Sequence, residues 1–163
     1  MISSIVIPDA NNSKRLSTGY RSPRTVGLQW QIEGSSVIRS SLDTAVALVR
    51  ACGEPNVGVC LDVFHYYTGP SKPEDLELLD SANLAHVQVC DVAGVARELA
   101  ADGDRIFPGE GDFRLGPIVE QLRRIGYDGW VSLELFNPVL WQAKAHQVAA
   151  LGMQALRRLL GGA

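Results

Sequence analysis

Apolar and polar residues alternate with a period of two in four separate stretches of the chain. Residues 26–31 separate Gly27, Gln29 and Gln31 from Val26, Leu28 and Trp30, and residues 57–63 separate Gly58, Cys60 and Asp62 from Val57, Val59, Leu61 and Val63. Residues 85–90 set His86, Gln88 and Cys90 against Val87 and Val89; residues 130–136 set Ser132 and Glu134 against Val131, Leu133 and Leu135. Successive side chains of a strand point to opposite faces. Each stretch therefore predicts a strand with an aliphatic face for helices and a polar or small face, on which Gln29, Asp62, Gln88 or Glu134 comes late.

Between these strands the period changes. Leu42, Ala45, Val46 and Val49 recur at helical spacing and Gly53 can end that helix. Pro73, followed by Glu74 and Asp75, opens a short helix through Leu79, with acids where the helix dipole favours them. Leu115, Ile118, Val119 and Leu122 predict another helix closed by Gly126, and a last one runs from Pro138 to Leu160 on Val148, Leu151, Leu156, Leu159 and Leu160. Strands alternating with helices imply an α/β fold with a parallel sheet, and polar residues late in each strand suit a ring of strands with a site at its carboxyl end. A closed ring of this kind needs eight such units, typically in about 250 residues. Four are visible, so residues 26–163 read as a (βα)4 half-barrel, and residues 1–25 as a polar, loosely ordered leader that includes the apolar run Ile5-Val6-Ile7. Its outer strands would be those of Gln29 and Glu134. Unpaired edges favour association, so a homo-oligomer that completes the barrel is expected.

Composition narrows the classes. The chain has 163 residues, 46% of them hydrophobic, which is ordinary for a globular protein with a sizeable core. A formal net charge of −3 leaves no basic footprint for nucleic acid, and no run is long and apolar enough for a membrane span. Cys52, Cys60 and Cys90 form no CxxC pair and read as reduced residues, two of them in strands, of a cytoplasmic protein.

A carboxylate within an apolar strand needs a cation or a hydrogen-bond partner, so Glu134 is the strongest site candidate. The neighbouring strand sequences offer it no cation. Asp62 either caps the turn that follows its strand or belongs to a site with His65, three residues on. Gln88 taken alone reads as a hydrogen-bond bridge and His86 as a satisfied core histidine, while His146 on the last helix reads as surface. Arg105 lies on the connection of residues 92–114, either solvated or facing a substrate; a connection of that length is usually functional or mobile. Cys60 and Cys90 have no evident activating base and read as packing.

Four ordered motifs carry a resemblance. Pro55-Asn56-Val57-Gly58-Val59-Cys60-Leu61-Asp62-Val63-Phe64-His65, His86-Val87-Gln88-Val89-Cys90-Asp91, Arg105-Ile106-Phe107-Pro108-Gly109-Glu110-Gly111 and Gly126-Tyr127-Asp128-Gly129-Trp130-Val131-Ser132-Leu133-Glu134 resemble the xylose-isomerase-like TIM barrels, the sugar phosphate isomerases and epimerases. The resemblance looks like the carboxyl-terminal half of that barrel. It implies a divalent metal held by Asp62, Gln88 and Glu134, with Gln29 where the family places a first Glu, and His65 and Arg105 approaching substrate oxygens. An oxygen-rich shell suits Mn²⁺ or Mg²⁺, with Co²⁺ or Zn²⁺ possible. The implied chemistry is proton abstraction beside a carbonyl of a small polyol, keto-sugar or sugar acid by Glu134, with an enediolate that leads to isomerisation or dehydration. Gln29 cannot act as a second base, which disfavours a two-base epimerase. The alternative is a truncated half-barrel without catalysis, acting as a binding or assembly module.

Overall fold

The computed structural model describes the backbone of residues 4–8 and 26–27, and residues 41–54 and 57–161 in full; Gln29 lies outside the described residues. Strands β2 (Val26–Gly27), β3 (Val57–Asp62), β4 (Leu84–Val89) and β5 (Trp130–Glu134) pair in parallel, each with its neighbour in sequence. A fifth strand, β1 (Ser4–Pro8), lies antiparallel on the far side of β5, so the unclosed sheet has the order β1-β5-β4-β3-β2. This corrects two expectations. Part of the stretch expected as a loose leader is a strand, and β5 is not an outer strand. The reason is visible in the residues: Ile5, Val6 and Ile7 are β-branched and apolar, and β5 presents an edge that would otherwise be unpaired.

The aliphatic faces of the strands form the core as their alternation predicts. Val59, Leu61, Val87, Val89, Val131 and Leu133 are all buried in one cluster. Helix α1 (Leu42–Cys52) contributes Leu42, Val46 and Val49 to it, and the chain leaves that helix through Gly53 at φ 68°, whose N–H returns to the Val49 carbonyl. Helix α3 (Leu115–Arg124) contributes Leu115, Ile118 and Leu122.

Three elements differ from expectation. Helix α2 (Val63–Thr68) starts directly at the end of β3, so Val63 and His65 are helical. The Pro73 segment is a 3-10 helix, Pro73–Leu78, held by the Asp75 carboxylate on the Lys72 N–H at 2.8 Å. The last helix, α4 (Ala145–Leu160), begins after a separate 3-10 turn, Leu140–Gln142, and buries Gly152, Ala155 and Leu156 while Leu151 faces out.

Gly58 is needed for close strand approach. A Cβ there would stand 2.7 Å from the Ala85 Cβ and 3.0 Å from the Asn83 carbonyl, at the point where the β3–β4 register shifts. Beyond that shift Asp62 lies opposite Gln88, and Gln88 opposite Ser132, which lines up the polar ends of three strands. Among the described residues, no helix is long and apolar enough to cross a membrane.

Candidate active site at the carboxyl ends of the strands

Asp62 ends β3 and Glu134 ends β5, and both are buried. Asp62 has two roles. Its Oδ1 accepts from the Phe64 N–H at 2.8 Å and so caps α2, while both oxygens lie 3.1 Å from Arg105 Nη1. The same Nη1 reaches Glu134 Oε2 at 3.4 Å. The cation that a buried Glu134 requires is therefore supplied by a loop rather than by a neighbouring strand.

Arg105 is only 1% exposed, so the solvated alternative does not describe it. Its Nε and Nη2 donate to Asp102 Oδ1 at 2.9 and 2.7 Å, and Nη2 donates to Asp62 Oδ2 at 3.1 Å. The guanidinium lies 4.2 Å from the Phe64 ring centroid and 5.5 Å from that of Phe136. Burial works to lower its pKa, but the charge of Asp62, with help from Asp102 and Glu134, raises it above its ordinary value and keeps it cationic. Glu134 behaves in the opposite way. Burial first, then the charge of Asp62, pushes its carboxyl up to about 7 against the pull of Arg105. One guanidinium does not neutralise the group of carboxylates around it.

Gln88 is half-buried beside Asp62, and its Oε1 accepts from the Cys60 thiol at 3.4 Å. His65, on the first turn of α2, holds Nε2 at 3.5 Å from Asp62 Oδ2; that nitrogen is buried and has no hydrogen-bond partner. His86 Nε2 meets Ser132 Oγ at 2.8 Å, as a satisfied interior histidine would, and His146 is exposed. Burial pushes both the Cys60 and Cys90 thiols up to about 12, so neither carries a thiolate near neutrality.

Asp91 was not singled out from the sequence, yet it fixes the loop that delivers Arg105. It is buried; Oδ1 accepts from the Val92 and Phe113 N–H groups at 2.9 and 3.0 Å, and Oδ2 from Gly109 at 2.9 Å. Its backbone pairs with Ile106, the residue after Arg105, through bonds of 3.0 and 2.9 Å. A Cβ on Gly111 would come within 2.3 Å of Asp91 Oδ1, so the glycine is required by the carboxylate beneath it. Asn137 completes the support by donating from Nδ2 to the Arg105 carbonyl at 3.1 Å. The available signal was an Asp at a strand end followed by a Gly-rich loop whose N–H groups need acceptors.

A family profile described as the xylose isomerase-like TIM barrel matches residues 29–159. The chain belongs to this family. Among its relatives in the family, the inosose isomerase of Halalkalibacterium halodurans is 34% identical over 103 residues, which cover 63% of this chain and 36% of that protein. The 3-dehydroshikimate dehydratase of Pseudomonas putida is 31% identical over 111 residues, 67% of this chain and 18% of the dehydratase. Of solved structures, the IolI protein with a bound zinc atom superposes with a TM-score of 0.70 at 26% identity, covering 74% of this chain and 43% of IolI. The chain thus spans little more than a third of the inosose isomerases it matches. Its fold is a partial barrel of the xylose isomerase-like type.

The side chains at the strand ends can be tested against the divalent metal that the family implies. Among the described residues, no group of three or more His, Cys, Asp and Glu side chains is arranged to hold an ion. The donor set is instead two carboxylates, Asp62 and Glu134, with the Gln88 amide between their strands. Its oxygen donors are the kind a hard cation takes, and beside them His65 Nε2, 3.5 Å from Asp62 Oδ2, is buried without a hydrogen-bond partner.

Proposed function

We propose that this chain carries the metal-binding and proton-handling half of a site that isomerises or dehydrates a small polyol or keto-sugar. The observation that supports this most directly is the convergence of Asp62 and Glu134, from strands β3 and β5, on one guanidinium in the interior. The similarity to an inosose isomerase and a 3-dehydroshikimate dehydratase points to the same class of carbonyl chemistry.

Asp62, Gln88 and Glu134 would hold the ion, with position 29 as the expected fourth place. A bound divalent cation of this kind, Mn²⁺ or Mg²⁺ before Co²⁺ or Zn²⁺, polarises a carbonyl and an adjacent hydroxyl. Glu134 takes the proton from the carbon beside the carbonyl; a carboxyl held near neutrality is matched to both accepting and returning it. His65 donates toward the oxygen on which charge develops, and Phe64 and Phe136 restrict water around the guanidinium. Delivery of that proton from Glu134 to a departing hydroxyl, which leaves as water, gives dehydration, and return of the proton to the neighbouring carbon gives isomerisation.

A second reading has its own support. Arg105 occupies both carboxylates from within the chain, as a half-barrel without catalysis would need, and such a chain would serve as a binding or assembly module. In either reading β2, the outer strand among the described residues, offers an edge on which a second copy could complete the barrel.

One experiment separates the two. Mn²⁺ is titrated into the purified chain by calorimetry, and exchange of the proton beside the carbonyl of an inosose is followed by NMR in D₂O. Metal-dependent exchange that disappears in Glu134→Gln supports the catalytic reading. Absence of both metal binding and exchange leaves the binding module.

A further inference from the structure

We infer that Arg105 is a built-in competitor for the metal position, so that the guanidinium and a divalent ion occupy the Asp62–Glu134 pair in alternation. The inference rests on the assignment of that pair as metal ligands. It adds a function for Arg105 beyond contact with substrate oxygens.

The geometry carries the argument. Nη1 lies within 3.1 Å of both Asp62 oxygens and 3.4 Å of Glu134 Oε2, so it takes up the space between the two carboxylates. Divalent ions bind carboxylate oxygens at about 2.0–2.6 Å. An ion that bridged the pair would use the lone pairs now pointed at Nη1 and would place two positive charges against a third. The two therefore compete for the pair. Arg105 also has somewhere to go. Its Nε and Nη2 donate to Asp102, whose side chain is 44% exposed and stands outside the pair, and Nη2 donates also to Asp62 Oδ2. Phe64 and Phe136 flank the guanidinium, and Asn137 fixes its backbone carbonyl. The planar guanidinium can swing as a unit about the Asp102 carboxylate, breaking the Nη1 and Nη2 bonds to Asp62 and the Nη1 bond to Glu134 while an anionic partner stays in reach, which makes metal entry an exchange between two defined partners.

Simple charge repulsion and occupancy make different predictions for one substitution. Arg105→Gln removes both the charge and the fork; Arg105→Lys keeps the charge but replaces a planar fork with a single ammonium that cannot bond both carboxylates and Asp102 together. Mn²⁺ affinity of the purified full chain is measured by calorimetry for the wild type, both variants and Glu134→Gln, with circular dichroism as the check on folding. Occupancy predicts that both Arg105 variants bind at least tenfold more tightly than the wild type, and a wild type too weak to measure beside two binding variants says the same. If Arg105→Gln does not fold, Arg105→Lys alone decides. Lys binding like the wild type overturns the proposal. If the wild type binds Mn²⁺, Glu134→Gln does not, and the Arg105 variants are unchanged, the metal site stands and the competition is refuted. If none of the four proteins binds Mn²⁺, the metal assignment and the competition both fall.

Discussion

Asp62 and Asp91 are both buried aspartates at the carboxyl end of neighbouring strands, yet they are satisfied in opposite ways. Asp91 takes three backbone N–H groups from its own loop, all neutral and all within 3.0 Å. Asp62 takes one, and its remaining capacity faces a guanidinium, the His65 imidazole nitrogen at 3.5 Å and a second carboxylate. A carboxylate enclosed by backbone donors has nothing left to offer a ligand, whereas one balanced by a side chain can exchange its partner. The first kind holds a fold together, and the second kind is one that a site can use.

The strongest test of this contrast is Asp91→Ala. It strands three backbone donors, each worth roughly 1–3 kcal/mol when left unsatisfied, so a loss on the order of 3–5 kcal/mol is expected after partial rescue by water. For a domain of this size that corresponds to a fall in Tm of roughly 10 °C. Urea denaturation measures it. A loss below about 1 kcal/mol would remove Asp91 from its structural role.

Gly111→Ala attacks the same carboxylate sterically. The new Cβ, 2.3 Å from Asp91 Oδ1 and 2.4 Å from the Val92 carbonyl, must displace one of them, and overpacking of this kind costs about 1–3 kcal/mol. An alanine variant as stable as the parent would mean that the loop yields freely.

Glu134→Gln tests the other side of the comparison and should have the opposite sign. The carboxyl is raised to about 7 by burial and by Asp62, so the folded state disfavours its charged form. A raised acid contributes stability below its unfolded pKa and loses that contribution as pH rises through the folded value. A glutamine imitates the neutral form. In metal-free protein the variant should match the parent near pH 4 and exceed it by on the order of 1 kcal/mol above pH 7, measured by thermal unfolding across that range. Such a gain alongside weaker Mn²⁺ binding is the trade expected of a functional carboxylate. A variant less stable than the parent at pH 8 would show that the Arg105 bond outweighs the burial of the charge.

The strands were legible because alternation is local. Val59, Leu61, Val87 and Val131 point to the core for a reason contained in five or six neighbouring residues, and the late positions of Asp62, Gln88 and Glu134 follow from the same parity. What was not legible depends on contacts across the chain. The partner of Glu134 is 29 residues away on a loop, and no periodicity marks it. Arg105 was a candidate, but its burial could not be read from Arg105-Ile106-Phe107. Asp91 and Gly111 were present in the quoted motifs, and only their contact explains why both are there. The strand formed by Ser4–Pro8 escaped because five residues in a polar stretch acquire their pairing from the edge of β5, more than 100 residues later.

The smallest expected effect belongs to His65→Ala. The imidazole is about one-third exposed, its Nε2 is buried without a hydrogen-bond partner, and its ring meets Phe64 edge-on at 5.5 Å. A polar atom in that position costs free energy in the folded state, while the contact with Phe64 recovers about 0.5–1.5 kcal/mol, so removal of both should nearly cancel. Alanine is also a better helix former than histidine, by a few tenths of a kcal/mol, which offsets lost packing on α2. Stability within about 0.5 kcal/mol of the parent is therefore expected by urea denaturation, next to a clear loss of the proton exchange followed in D₂O. The pairing of the two readouts is what matters. An imidazole held for the fold would lower stability and exchange together, as Asp91→Ala does. One held beside Asp62 for a ligand lowers exchange alone, and a Tm drop comparable to that of Asp91→Ala would place His65 with the structural residues.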